Sequence, residues 1–146
     1  NTFGLRNDLN AGPLTVGHIY QVMPFENTLA VMSLTGKQLK SLLLQNLKGG
    51  VSRLQVSHHL SLTTQRAPDG AFINGEVRYL GQPVDDRKVF KVAMNSYMAS
   101  GGSCCQTLVT RPHTDTAISL RILFMDVIKK KSPVKAPQVG RIRIVD

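Results

Sequence analysis

A chain of 146 residues, 42% hydrophobic and 18% charged, is long enough for one domain with a real core, and it holds no apolar run of the length that spans a bilayer. Its 18 Lys and Arg against 9 Asp and Glu give a formal charge of +9, which favours anionic ligands, nucleic acid or an acidic membrane surface. With three Tyr, five Phe and no Trp there is no interleaved basic and aromatic strip, so polymeric nucleic acid is not an expected partner.

In chain order, Asn1 to Arg6 reads as the end of a strand running into a loop, with Gly4 permitting the change of direction and Arg6 projecting from the loop. An opening at Asn1, without an initiator Met or a leader, reads as a processed product or an excised domain. Thr15 is an N-cap candidate for a short helix to about Val22, where Ile19 and Val22 recur at helical spacing and Pro24 forbids continuation. Phe25 follows as either a core ring or a partly exposed one held in place by Pro24. Thr28 to Leu34 reads as a strand, and Thr35 caps a helix whose stripe is Leu39, Leu42, Leu43, Leu44 and Leu47, with Gly49 and Gly50 as the stop.

Arg53 to Gln65 alternates apolar and polar residues, which predicts a strand with one buried face. His58 and His59 would then point to opposite faces and could not chelate one metal together. Turns are expected at Ala67 to Gly70 and at Gly81 to Asp86, and strands at Val77 to Leu80 and Val89 to Met94. The segment from Asp115 to about Lys131 reads as a helix burying Ile118, Ile122, Met125 and Ile128, broken by Pro133. Its basic end, Lys129 to Lys131, suits either a solvated helix terminus or an anion-binding patch. Val139 to Val145 reads as a half-exposed edge strand. Strands and helices mix without regular alternation, so the predicted class is α+β, with a mixed β-sheet and packed helices in a single domain over 1–146.

The chain carries no convincing catalytic set. Its acidic residues are scattered, and it has no G-x-S-x-G, H-E-x-x-H, P-loop or CxxC motif. The two cysteines, Cys104 and Cys105, are adjacent, could close only a strained ring, and are not expected to bond to each other. No His lies near them at zinc-ligand spacing. The stretch Asn95-Ser96-Tyr97-Met98-Ala99-Ser100-Gly101-Gly102-Ser103 is different. It joins the strand-like run Val89 to Met94 to two glycines, and reads either as a tight turn or as a ligand-facing loop with polar groups to offer.

Four further motifs keep it company: Asn1-Thr2-Phe3-Gly4-Leu5-Arg6, Leu14-Thr15, Met23-Pro24-Phe25-Glu26-Asn27 and Leu34-Thr35-Gly36-Lys37. In this order they resemble the C-terminal, substrate-binding domain of the 5′-nucleotidase family, whose pattern runs N-G-G-G-I-R, P-F, L-x-G and N-[FY]-x-x-x-G-G-D. The resemblance covers nearly the whole chain. It implies a nucleotide or nucleoside ligand, with Asn1 and Arg6 at the phosphate-binding motif and Phe25 and Tyr97 sandwiching the base. It also implies that two divalent metal ions and the catalytic residues belong to a separate N-terminal metallophosphoesterase domain, so that this chain alone is inactive. The family's habit of export implies a periplasmic, cell-surface or secreted protein. Two departures stand out: Phe3 occupies a family glycine position, and Ser103 replaces the aspartate that accepts from the ribose hydroxyls. These leave an alternative, a non-catalytic binding or adhesion module of the same fold whose basic surface docks to an acidic partner.

Overall fold

The structure, a computed structural model, describes residues 2–48, 51–52, 54–102 and 105–145. Asn1, Ser103 and Cys104 therefore lie outside the described residues, as do Gly49, Gly50 and Arg53. In chain order the elements are a 3-10 turn (Thr2–Gly4), helix α1 (Val16–Val22), strand β1 (Thr28–Thr35), helix α2 (Gly36–Gln45), strands β2 (Leu47–Lys48), β3 (Val51–Ser52), β4 (Leu60–Arg66), β5 (Phe72–Tyr79), β6 (Gln82–Pro83) and β7 (Val89–Asn95), helix α3 (Ser96–Ala99), a second 3-10 turn (Gln106–Leu108), strand β8 (His113–Ser119), helix α4 (Leu120–Lys131) and strand β9 (Ile142–Val145). They form two compact units, Asn1–Met32 with Val92–Ala136, and Ser33–Lys91 with Pro137–Asp146.

In the first unit β1 lies between β7 and β8. Thr15 caps α1 in a reciprocal box: its hydroxyl accepts the His18 N–H at 3.3 Å and its own N–H donates to the His18 ring Nδ1 at 3.2 Å. Ile19 and Val22 are buried with Ala30, Met32, Met94, Ala99, Cys105 and Leu108, which form this unit's core. β8 runs antiparallel to β1 and bulges between the pairs Thr28/Ser119 and Ala30/Asp115. Asp115 holds the bulge with both oxygens, one accepting the Ala117 N–H at 2.9 Å and the other the Thr28 hydroxyl at 2.8 Å. The Ala117 N–H, then the Thr28 hydroxyl, stabilise the charged carboxylate and hold the Asp115 pKa below its ordinary value.

The second unit carries a mixed sheet in the order β6-β5-β4-β9, with β4 antiparallel to β5 and parallel to β9. The predicted α+β class with a mixed sheet is thus the observed one. α2 starts at Thr35, whose hydroxyl accepts the Gln38 N–H while the Gln38 side chain accepts the Thr35 N–H. Leu39, Leu42 and Leu43 of α2 are buried with Leu34, Leu47, Leu54, Leu62, Val77 and Val84.

Several local expectations change. Thr2–Gly4 is a 3-10 turn, closed by the Leu5 N–H to the Thr2 carbonyl, where the end of a strand was expected. His58 and His59 lie in a turn before β4, because the Leu60 N–H reaches back to the Ser57 carbonyl at 3.1 Å. Their rings come together, with centroids 3.6 Å apart, where alternation on a strand would have separated them. Residues 115–119 belong to β8, since pairing with β1 wins over the helical period, and α4 begins only after Ser119 caps it. Its buried side follows. Ile118 and Ile122 are exposed, Met125 and Ile128 half-buried, and the buried residue is Arg121.

Candidate functional site

Arg6, Phe25 and Tyr97 all belong to the first unit. Arg6 follows the 3-10 turn, and its backbone N–H donates to the Val22 carbonyl at 3.0 Å, which ties the loop to the end of α1. The Asn7 side chain donates beside it to the Gln21 carbonyl at 3.3 Å. α1 ends where the Met23 N–H closes on the Ile19 carbonyl, and Pro24 then turns the chain out to Phe25. The result brings two of the expected site residues together, the Arg6 guanidinium lying 5.1 Å from the centroid of the Phe25 ring. Both are solvent-exposed, Phe25 at 44% of its surface. Such a pair offers a planar cationic fork and a flat apolar face side by side, the two surfaces that a phosphorylated aromatic ligand presents in complement.

Tyr97 sits on α3, a single turn and not the loop that glycine content suggested. Asn95 caps it, its side chain accepting the Met98 N–H at 2.7 Å, so this residue serves the backbone. The Gly102 N–H closes on the Tyr97 carbonyl at 2.8 Å, and the Tyr97 ring folds over Gly102 so closely that a Cβ there would run into it. Gly101 has a separate reason, its φ of +83°. α3 is tied to the start of β1 by the Thr28 N–H, which donates to the Ser96 hydroxyl at 3.1 Å. That bond joins the element bearing Tyr97 to the segment that follows Phe25. Phe3 is 61% exposed. Of the expected site residues, Asn1 and Ser103 lie outside the described residues.

Sequence reasoning missed Ser96 and Arg121. The Arg121 Nε–H donates to the Met23 carbonyl at 2.9 Å, immediately before Pro24, and its guanidinium lies 4.1 Å from the Tyr20 ring centroid. A single cation inside the apolar run from Ile118 to Met125 was the signal for Arg121; Ser96 gave none. Among the described residues no three His, Cys, Asp or Glu side chains converge as a metal site, and no helix is long and apolar enough to cross a membrane.

Comparison with known proteins gives the lineage. Residues 1–110 match the model of the family described as "5′-nucleotidase, C-terminal domain". The chain is 30% identical over 158 aligned residues to the trifunctional nucleotide phosphoesterase protein YfkN of Bacillus subtilis, an alignment covering 99% of this chain and 11% of that protein. Among solved structures it resembles the 5′-nucleotidase precursor from Thermus thermophilus, with a TM-score of 0.83 and 33% identity over 98% of this chain and 30% of that one. The NAD nucleotidase NadN of Haemophilus influenzae shares the fold, with a TM-score of 0.74 at 22% identity over 97% of this chain and 28% of that one. The chain thus spans less than a third of each of these relatives. It belongs to the 5′-nucleotidase C-terminal domain family.

Proposed function

We propose that this chain is the substrate-recognition part of a 5′-nucleotidase-type phosphoesterase, which hydrolyses nucleotide phosphate esters. Arg6 binds the phosphate, Phe25 and Tyr97 clamp the base from two sides, and Asn1 and Ser103 contact the ligand from the adjoining motif positions. The observation that carries this reading is the exposed pairing of the Arg6 guanidinium with the Phe25 ring. A bidentate guanidinium suits phosphate oxygens, and an aromatic face stacks any of the bases.

The described residues offer no set of three ligands for a metal, so the two divalent ions of the reaction are assigned to an N-terminal metallophosphoesterase domain and no bond-breaking step is placed on this chain. Those ions, when bound, activate water for attack on the phosphate ester. This chain orients the ester by its base and phosphate. An exported enzyme acting outside the cytoplasm completes the reading.

Titration calorimetry of the 146-residue chain with a nucleoside monophosphate and its parent nucleoside tests it. Wild type binds both, Arg6→Ala weakens the nucleotide and spares the nucleoside, and Ser103→Asp tightens ribonucleosides more than deoxyribonucleosides. No binding at millimolar nucleotide, with no gain from Ser103→Asp, would overturn the assignment.

A further inference from the structure

We propose that Arg121 is a positioning residue for the aromatic platform, acting through the backbone that carries Phe25. The inference rests on the recognition role proposed for Phe25, but its geometry stands on its own. Arg121 is only 8% exposed, and among the described residues no carboxylate pairs with it. A buried cation without an anion is unfavourable, and an apolar side chain of similar size would fill the same space at lower cost. What the guanidinium adds is direction. Its Nε–H donates to the Met23 carbonyl at 2.9 Å, and its Cζ lies 4.1 Å from the Tyr20 ring centroid, contacts that replace part of the hydration it has lost.

The bond to Met23 falls at a decisive place. Three consecutive residues lead out of α1 to the platform, and each is constrained by a different device. The Val22 carbonyl accepts the Arg6 N–H at 3.0 Å, the Met23 carbonyl accepts the Arg121 Nε–H, and the Pro24 ring fixes its own φ. The Met23 N–H is itself held by the Ile19 carbonyl at 2.9 Å. The Val22 link comes from the same residue whose guanidinium lies on Phe25, so it cannot hold that ring independently of Arg6. The Met23 link comes from α4 and can. Without it, rotation about Met23 ψ is released just before the rigid Pro24, and a small rotation there swings the Phe25 ring away from Arg6.

The test is hydrogen exchange of the Arg6, Met23 and Thr28 amides, which donate to the Val22 carbonyl, the Ile19 carbonyl and the Ser96 hydroxyl on either side of Phe25, in the 146-residue chain, paired with nucleoside titration. Arg121→Met keeps the aliphatic stem and loses both the donor and the charge. Exchange at these three amides should then rise at least tenfold while β4 and β5 are unchanged, and nucleoside affinity should fall three- to tenfold. Arg121→Lys, which keeps the cation over Tyr20 without the Nε–H, should be intermediate, and it carries the same test should Arg121→Met not fold. In a Phe25→Ala background the Arg121 substitution should cost no further affinity. Unchanged exchange at the three amides, or a uniform rise across both units, would overturn the inference and leave Arg121 as packing alone. If exchange rises locally but wild type binds no nucleoside, the positioning role stands and the recognition role of Phe25 fails. If wild type binds and Phe25→Ala weakens it, full additivity between the two substitutions overturns the positioning role alone.

Discussion

The Arg6 guanidinium and the Phe25 ring lie 5.1 Å apart, so one side chain proposed for phosphate rests on one proposed for base. This makes the two aromatic positions unequal. Replacing Phe25 by Ala removes a stacking face and also the surface that orients the guanidinium, whereas replacing Tyr97 removes the second stacking face. Losing one stacked base costs about 1–3 kcal/mol. Tyr97→Ala is therefore expected to weaken nucleosides and nucleotides alike by that amount, and Phe25→Ala to weaken nucleotides by more than nucleosides. Calorimetric titration of both variants with both ligands checks the asymmetry; equal penalties from Phe25→Ala would mean that Arg6 does not depend on the ring.

The Tyr97 ring covers Gly102, where an added Cβ would meet its Cδ1, Cε1 and Cζ atoms. Tyr97 is 46% exposed, so Gly102→Ala should be accommodated by a shift of the ring rather than of the backbone. The expected outcome is a loss of nucleoside affinity close to that of Tyr97→Ala. Unaltered affinity in a variant shown by near-UV spectroscopy to have a displaced tyrosine would remove Tyr97 from the site.

The features legible in the sequence were those decided within a few residues. Thr15 and Thr35 cap helices because each meets a partner three residues on, and the strand from Thr28 needs only its own pattern. The failures share a different cause. Residues 115–119 fit a helical period, and only β1, far away in sequence, turns them into a strand. The His58 and His59 rings meet because a turn, invisible to alternation, precedes β4. The glycine pair was legible as a special backbone, yet its two members differ: Gly101 supplies a positive φ and Gly102 supplies room for a ring. Arg6 and Phe25 were named through the resemblance, and their contact depends on a bond from the Arg6 backbone to the end of α1 that no local signal announces.

Asp115 ties the β8 bulge to β1, and the Ala117 N–H and Thr28 hydroxyl hold its pKa below the ordinary value. A lowered folded-state pKa contributes stability that is fully present above the unfolded value of about 3.9 and is lost as pH falls through the lowered folded value. Asp115→Asn, neutral at every pH, should thus be less stable than wild type near neutrality, with the gap closing in acid. Urea midpoints measured from about pH 7 down to about pH 2 read this directly. A gap that stays constant across the range would show that the charge of Asp115 plays no part.

The turn between β5 and β6 is carried by Leu80 and Gly81, with φ of +52° and +78°, between the paired residues Tyr79 and Gln82. Both central residues are left-handed, the geometry of the two-residue hairpin turn that Asn-Gly adopts most readily. Leu80 is poorly suited to it. Its side chain is 61% exposed, so it gains little from burial, and its Cβ clashes with the backbone in the left-handed region. The turn holds because its neighbours fix it: the Leu80 N–H donates to the His59 carbonyl at 2.8 Å, and the Arg78 guanidinium donates to the Gly81 carbonyl at 2.9 Å. Leu80→Asn keeps both bonds and relieves the strain, so it is expected to stabilise the chain by roughly 1 kcal/mol. For a chain of this length that corresponds to a rise in Tm of about 2–4 °C. Leu80→Ala is the control, since it removes the exposed side chain without gaining a left-handed preference, and it should show no rise. Equal gains from the two variants would mean that the exposed leucyl side chain, and not the backbone angle, is what destabilises the turn.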